Sequence, residues 1–226
     1  CFPHDETGDA YEFSNSLQRS QAKRGVEFRF GLTVNGVLQS EGQIAGVSTS
    51  QGEIEASRVV AAAAVLTPNL VPGEGIRIKP VKGYSIAVPI KSLDHFPKMT
   101  IVDDSLHAAV TPVGECLRIA GTVEFCGWND TLDPARVNNL WGLLDAVSPT
   151  LAANVDRDRA NPWCGFRPMS ADGVPFIGET RVKGLYVNAG HGHLGWTQAA
   201  GSGALVASLL TDEEQSIEPA PYSVLR

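Results

Sequence analysis

A strand pattern that leads through a glycine loop into a helix of small residues is the feature that most constrains the fold of this 226-residue chain. Leu185-Tyr186-Val187-Asn188 precedes Gly190-His191-Gly192-His193-Leu194-Gly195-Trp196-Thr197, and alanine and glycine dominate the residues that follow. Alternating glycines let a backbone approach a ligand closely, and a helix start presents free N–H groups with partial positive charge. The stretch predicts either a cradle for negative charge or only a glycine-rich turn before a tightly packed helix, and spacing alone leaves both open.

The two histidines of this loop, His191 and His193, are weak metal candidates. A metal needs further ligands, and no nearby Asp, Glu or Cys stands at a suitable spacing. The sequence therefore predicts no metal site. One histidine lining a pocket and a histidine hydrogen-bonded within the loop remain equal alternatives.

The first part of the chain predicts a helix followed by short strands. Asp9 is placed as the N-cap of the helix, and Lys23-Arg24-Gly25 are typical of its end. Alternating and short apolar stretches from Val26 to Glu55 predict a meander of strands. The run Arg58 to Val65 lacks alternation, which predicts a strand buried on both faces within a larger central sheet.

Beyond Pro72-Gly73 the pattern is that of an antiparallel sheet. One face is formed by alternating side chains from Tyr84 to Ile90, and further strands are predicted near 100–102, 107–111 and 116–123. A helix with Asp133 as its N-cap and an apolar stripe should pack on this sheet. The predicted fold class is α/β plus α+β.

Two more stretches carry candidate binding groups. Arg167 lies in a segment predicted to make few regular backbone bonds, which suits a fixed guanidinium presented to a carboxylate, although a surface or salt-bridged arginine is the alternative. In Lys82-Gly83-Tyr84-Ser85, Gly83 permits close approach to a flat ligand and Tyr84 offers a phenol to a pocket. A β-bulge glycine followed by a core tyrosine fits that pattern equally well.

Charge and composition narrow the class of partner. The net charge of −7 and the dispersed Lys and Arg residues disfavour nucleic acid and favour a small molecule. The longest apolar run, Val59 to Leu66, is far shorter than the roughly 20 residues of a membrane-spanning helix. The four cysteines show no C-x-x-C spacing, which favours a reducing cytoplasm. Because the chain opens with Cys1 rather than an initiator methionine, we expect that something precedes it.

Taken in order, these stretches resemble the D-amino-acid oxidase superfamily of flavoproteins, and within it the bacterial D-amino-acid dehydrogenase branch of the small-subunit type. The resemblance spans nearly the whole chain. The matching pieces are Asp5 to Asp9, Arg58 to Thr67, Lys82 to Ser85, Gly165 to Gly178 and Gly190 to Thr197.

The resemblance implies FAD as the cofactor. It also implies an α/β, Rossmann-like FAD-binding domain formed by residues 1–75 and 166–226, and a substrate domain at 76–165 built on a mixed, largely antiparallel sheet. Arg167 would bind the substrate carboxylate, with Tyr84 and His193 in the pocket wall. The residues implied to contact the cofactor are Ala62, Ala63, Ala64, Gly83, Gly190, His191, Gly192, Leu194, Gly195, Trp196 and Thr197.

The sequence departs from the family at two points. Ala64 stands where the alanine-rich turn of the family usually carries glycine, which puts close cofactor contact there in doubt. The family begins with a strand, a G-x-G-x-x-G turn and a helix that hold the FAD pyrophosphate, and this dinucleotide-binding start is missing here. We therefore expect either the carboxyl-terminal portion of a longer polypeptide or a chain completed by a partner subunit.

The expected activity is oxidative deamination of D-amino acids to 2-oxo acids and ammonia, with electrons passed to a quinone or another carrier. The expected location is cytoplasmic, with a peripheral position at the inner face of the bacterial membrane as its variant. Two alternatives stay open. One is a related amine oxidase or dehydrogenase acting on glycine, sarcosine or proline, and the other is a non-catalytic fragment or subunit without its own pyrophosphate site.

Overall fold

The computed structural model describes residues 7–91, 97–103, 105 and 108–226. The helices are α1 (Ala10–Ala22), α2 (Thr67–Leu70), α3 (Pro134–Val147), α4 (Pro149–Asn154) and α5 (Gly195–Thr211). The strands are β1 (Val34–Ser40), β2 (Gln43–Thr49), β3 (Gly52–Glu55), β4 (Val59–Ala61), β5 (Ile78–Pro89), β6 (Ile101–Asp103), β7 (Ala108–Val113), β8 (Cys116–Glu124), β9 (Asn161–Ser170), β10 (Phe176–Glu179) and β11 (Leu185–Ala189).

The chain divides into two compact units. The sheet unit comprises Cys1–Val26 and Val81–Phe166, and the loop unit comprises Glu27–Pro80 and Arg167–Arg226. Residues up to 26 are thus grouped with the antiparallel sheet, whereas the expected division placed 1–75 in one domain. The FAD-binding and substrate-binding labels of those expected domains stay predictions.

The first helix follows its sequence signals, although the strand expected after it does not form. In α1 the Asp9 carboxylate accepts hydrogen bonds from the backbone N–H groups of Tyr11 (2.8 Å) and Glu12 (3.2 Å). The predicted strand through Val26, Phe28 and Phe30 was wrong, because this backbone does not pair with any strand in the described part of the chain. The three side chains have no sheet face on which to pack, and they remain exposed. The matched residues Asp5 and Glu6 lie outside the described part of the chain.

In the loop unit, β1, β2 and β3 form the predicted antiparallel meander. A side chain at Gly46, which has a φ of 149°, would collide with the backbone carbonyl of Ile54 on the neighbouring strand. A glycine is therefore required where β2 and β3 approach.

A second sheet of the loop unit has the order β10-β11-β4, with β4 parallel to β11. The run from Arg58 to Val65 was predicted as a strand buried on both faces in a parallel sheet. The parallel pairing is confirmed, whereas β4 is shorter than predicted, with three residues, and is only partly buried. Its place in a larger central sheet stays a prediction. The extended run ends at Ala61, and Ala64, with a φ of 49°, lies in the turn that follows. Helix α5 packs on this sheet through an apolar cluster of Ile177, Tyr186, Leu205 and Val206.

The sheet unit is built on a five-stranded sheet in the order β6-β7-β8-β5-β9, in which β9 is an edge strand. Its predicted strands and the helix α3 are confirmed, with Asp133 accepting a hydrogen bond from the backbone N–H of Ala135. The predicted strand start at His107 lies outside the described residues. Ile86, Ile119, Leu140 and Leu144 are fully buried in one core that joins sheet and helix. Burying each such side chain contributes about 1.5–3 kcal/mol.

None of the helices described is both long and apolar enough to span a bilayer.

Candidate functional site

A pocket of about 330 Å³ lies in the loop unit, where the end of β11, the start of α5 and the turn after β4 meet. We call it the loop pocket. It brings together six of the predicted cofactor residues, which are Ala62, Ala64, Gly190, His191, Gly192 and Gly195. It is also lined by Pro168, Asn188, Ala189, Ala199 and Ser202, which the sequence analysis did not single out as site residues.

Two glycines give the loop its shape. Gly190 and Gly192 have φ angles of 88° and 58°, which L-residues with a side chain adopt only at a cost. A Cβ on Gly192 would lie 2.7 Å from the Met169 sulfur, and one on Gly190 would lie 3.3 Å from the Phe176 ring. The loop therefore packs tightly against Met169 at the end of β9 and against Phe176 of β10, both in the loop unit.

The start of α5 opens on this pocket through Gly195. Leu194 occupies the N-cap position and provides no side-chain hydrogen bond to the helix. The first-turn N–H groups are thus left without a side-chain cap, and the helix dipole adds partial positive charge at this end. This end of the pocket suits a carbonyl oxygen or a negatively charged atom.

Two polar side chains of the loop pocket contain buried atoms without a partner. Neither Asn188 Oδ1 nor His191 Nε2 forms a hydrogen bond with any of the described residues. An unpaired buried polar atom costs about 1–3 kcal/mol. Burial lowers the pKa of His191, which keeps the imidazole neutral at pH 7. The pocket is therefore polar but carries no charge from this histidine.

The turn after β4, residues 62–64, which we call the alanine turn, contains the position at which the sequence departs from the family pattern. Ala64 adopts the left-handed backbone, with a φ of 49°, in which glycine would be unstrained. For an L-residue this conformation costs about 1–2 kcal/mol. The fully buried Thr67 supports the turn by accepting a hydrogen bond from the Ala63 N–H at 3.2 Å. The chain thus keeps the backbone shape typical of glycine without having glycine.

Arg167 lies on β9, directly before Pro168 of the loop pocket. The expectation that this segment makes few regular backbone bonds was wrong, because β9 is a ten-residue strand. An edge strand tolerates proline, since an N–H can be missing on its open side. Desolvation lowers the pKa of the half-buried Arg167 guanidinium, which stays protonated at neutral pH. Its substrate-binding role stays a prediction.

Gly83 and Tyr84 lie in the sheet unit, where their surroundings match the bulge-and-core alternative. The register of β5 against β8 shifts between Lys82 and Tyr84, which places Gly83 at a bulge. Tyr84 is 1% exposed, and its hydroxyl donates a 2.7 Å hydrogen bond to Glu124. Their cofactor-contact and pocket-wall roles stay predictions.

Lys82, Tyr84 and Glu124 form one network, in which Lys82 and Tyr84 are buried and Glu124 is partly exposed. The Lys82 ammonium lies 3.2 Å from the Glu124 carboxylate and donates to the carbonyl of Thr131 at 3.0 Å. The hydrogen bond from Tyr84, together with Lys82, holds the pKa of Glu124 below its usual value. Burial raises the pKa of Tyr84. The phenol is therefore protonated and committed to Glu124.

The remaining predicted residues lie near the loop pocket without lining it. Ala63 belongs to the turn after β4, whereas His193, Leu194 and Trp196 are exposed around the start of α5. Thr197 lines a smaller pocket of about 150 Å³ together with Gln198 and Tyr222. The cofactor roles of these residues, and the substrate role of His193, stay predictions.

Asn188 and Ser202 are the polar lining residues that sequence reasoning missed. Asn188 is the polar residue inside the apolar strand β11, one residue before its end, and that position was a usable signal. Ser202 lies on α5 among small residues and looks like ordinary helix packing in the sequence.

Comparison with known proteins identifies the family. A sequence model described as "FAD dependent oxidoreductase" (DAO) matches residues 1–209. The chain belongs to this family. A D-amino acid dehydrogenase from Xanthobacter autotrophicus is 41% identical over 99% of this chain and 53% of that protein. One from Rhizobium rhizogenes is 38% identical over the same shares. The chain thus spans about half the length of the curated relatives that it matches.

Solved structures agree with this assignment and confirm the fold class. A glycine oxidase from Bacillus cereus has a TM-score of 0.80 and 25% identity, with 91% of this chain and 57% of that chain covered. An L-proline dehydrogenase from P. horikoshii has a TM-score of 0.85 at 21% identity, covering 97% of this chain and 60% of that one. The second likeness shows the fold alone.

Proposed function

We propose that this chain supplies the flavin-facing loop and the substrate-binding residues of an FAD-dependent D-amino acid dehydrogenase. The D-amino acid would be oxidised to an imino acid, which hydrolyses to a 2-oxo acid and ammonia. The observation that carries the proposal is the loop pocket, in which the glycine loop, the alanine turn and the start of α5 meet. Two curated relatives named D-amino acid dehydrogenase support this choice of reaction.

The loop pocket fits a flat, polar-edged ring such as that of FAD. Its lining is mostly glycine and alanine, so a planar ligand can lie close to backbone. Asn188, His191 and Ser202 are the polar side chains of this lining and can form hydrogen bonds with ring nitrogens and carbonyls. When bound, FAD supplies the acceptor for the hydride that leaves the substrate carbon.

The residues of this chain contribute positioning and electrostatics. The uncapped N–H groups at the start of α5 stabilise negative charge that develops on a bound ligand. The neutral His191 adds a polar contact without placing a second positive charge there. Arg167 provides a permanent positive charge, and its planar guanidinium can hold the substrate carboxylate through two parallel hydrogen bonds. A carboxylate held in this way fixes the orientation of the α-carbon.

The same proposal includes partners that this chain does not itself provide. A segment or subunit with the phosphate-binding turn would complete the FAD site, and a quinone or another carrier would take the electrons. A quinone acceptor would place the cytoplasmic enzyme at the inner face of the membrane.

Anaerobic spectroscopy tests the proposal. The natural polypeptide that contains this chain should show flavin absorption bands that bleach when D-amino acids are added. Arg167→Ala should raise the KM at least about 100-fold and leave the flavin spectrum unchanged, because hydrogen bonds to a charged group contribute about 1.5–3 kcal/mol each. The matched control is Arg159→Ala, an exposed arginine of the sheet unit. An unchanged KM for Arg167→Ala would contradict the assigned role.

A related amine oxidase is the second candidate, because the glycine oxidase structure superposes with a TM-score of 0.80 at 25% identity. Glycine, sarcosine or proline would then bleach the flavin instead of D-amino acids. Stoichiometric hydrogen peroxide in air would support an oxidase. A purified protein without flavin would instead support a non-catalytic chain.

A further inference from the structure

Arg226 makes an unusually dense set of contacts in the loop unit. Its guanidinium binds both carboxylate oxygens of Asp172, at 3.0 and 3.2 Å. It also donates to the carbonyls of Val174 (2.7 Å) and Pro175 (3.3 Å). On the side of its own segment it donates to the carbonyls of Tyr222 and Ser223, at 3.2 and 2.9 Å. One side chain thus joins the turn before β10 to residues 222–226.

The same guanidinium lies over the ring of Phe176, 4.0 Å from the ring centroid. Phe176 is 6% exposed and begins β10. Its ring packs against Gly190, because a Cβ built on that glycine would lie 3.3 Å from Phe176 Cδ2. Phe176 and Ala189 are also register partners in β10 and β11. A continuous row of contacts therefore runs from Arg226 through Phe176 to the glycine loop.

We propose that Arg226 is a positioning residue that fixes the glycine loop at Gly190–Gly192 through Phe176. The loop backbone borders the loop pocket, so its position sets how a ligand is held there. The link to the flavin rests on the proposed function, whereas the link to the loop does not.

The geometry explains why arginine is needed here. Five N–H donors in a planar fork satisfy two carboxylate oxygens and several carbonyls at once, while the flat face covers the phenylalanine ring. A lysine has three donors and no plane, so it keeps the charge and loses both the bidentate pair and the stacking. Arg226→Lys should therefore behave much like Arg226→Met, whereas a purely electrostatic role would be rescued by lysine.

Hydrogen exchange in the ligand-free full-length protein tests the link to the loop. We expect the backbone amides of residues 189–192 to exchange at least about tenfold faster in Arg226→Met and Arg226→Lys, and amides of β1 and β2 to exchange as in the wild type. The control is Arg181→Met, which removes an exposed arginine paired with Glu74 in the same unit. Loop amides that exchange at the wild-type rate in both Arg226 variants would overturn the proposal. Equal acceleration throughout the loop unit would also overturn it, because that result indicates general destabilisation.

A second measurement uses the flavin. In the holoprotein, both Arg226 variants should weaken FAD binding about tenfold and shift the flavin absorption bands. Phe176→Leu should cause the same change. A double variant of Arg226 and Phe176 should bind FAD no more weakly than either single variant. Additive effects of the two substitutions would refute transmission through Phe176. If the wild-type protein binds no FAD, the proposed function fails, while hydrogen exchange still decides the role of Arg226.

Discussion

Replacing Ala64 with glycine should stabilise the protein, although glycine usually destabilises. Ala64 has a φ of 49°, a backbone that costs an L-residue about 1–2 kcal/mol. Its methyl group is exposed, so removing it uncovers little apolar surface. Glycine loses more backbone freedom on folding, which costs about 0.4–1 kcal/mol. The net expectation is a gain of about 0.5–1 kcal/mol in the free energy of unfolding.

The neighbouring Ala62 is a matched control. It is also exposed and lines the same pocket, but its φ is not in the positive region. Ala62→Gly should therefore lower the free energy of unfolding by about 0.4–1 kcal/mol, so the two substitutions have opposite signs.

Urea unfolding of both variants and the wild type would measure the difference, and thermal unfolding should show a rise of about 1–4 °C for Ala64→Gly. The reasoning would be refuted if Ala64→Gly destabilised the protein as much as Ala62→Gly. That result would mean that the backbone at residue 64 is not strained. If FAD lies against this turn, Ala64→Gly should also tighten its binding, which fluorescence quenching of the flavin would detect.

Three further predictions concern the core, a helix cap and pH. Leu140→Ala should lower the free energy of unfolding by about 2–5 kcal/mol in urea titrations, whereas exposed Leu132→Ala should change it by less than about 0.5 kcal/mol. Asp133→Ala removes the N-cap of α3 and should lower the free energy of unfolding by about 1 kcal/mol. Asp133→Ser keeps a capping side chain and should retain most of that stability. The hydrogen bonds from Arg226 and from the Val174 N–H lower the pKa of Asp172 from 3.8 to about 2, so this carboxylate stabilises the fold above pH 4 and loses that effect as pH falls toward 2. Between pH 4 and pH 2, the free energy of unfolding should fall less steeply in Asp172→Asn than in the wild type. The same slope in both proteins would contradict the stabilising role of the Asp172 carboxylate.

Local signals in the sequence predicted most of the regular structure. Asp9 and Asp133 are N-caps whose carboxylates can reach only nearby backbone N–H groups, so they mark the helix starts without help from the rest of the fold. Likewise, the glycine loop and α5 were predicted because the positive φ angles of Gly190 and Gly192 reflect a local requirement for glycine.

Errors arose where a strand depends on its neighbours. Phe28 and Phe30 alternate like strand residues, yet no described strand pairs with them. The segment around Arg167 was predicted to make few regular backbone bonds, but it is the edge strand of a five-stranded sheet, where Pro168 is tolerated. Alternation describes a single segment, whereas the hydrogen-bond partners of a strand are residues far along the chain.

The sequence by itself determined the helix limits, the meander, the glycine loop and the resemblance to a flavoprotein family, because each depends on residues close together in the chain. Only the tertiary structure decided that Ala62, Asn188 and Gly192 share one pocket, and that Arg226 reaches the glycine loop through Phe176. It also placed Tyr84 in a core with its hydroxyl committed to Glu124. Such contacts join residues separated by long stretches of chain, and packing geometry selects among partners that no local pattern distinguishes.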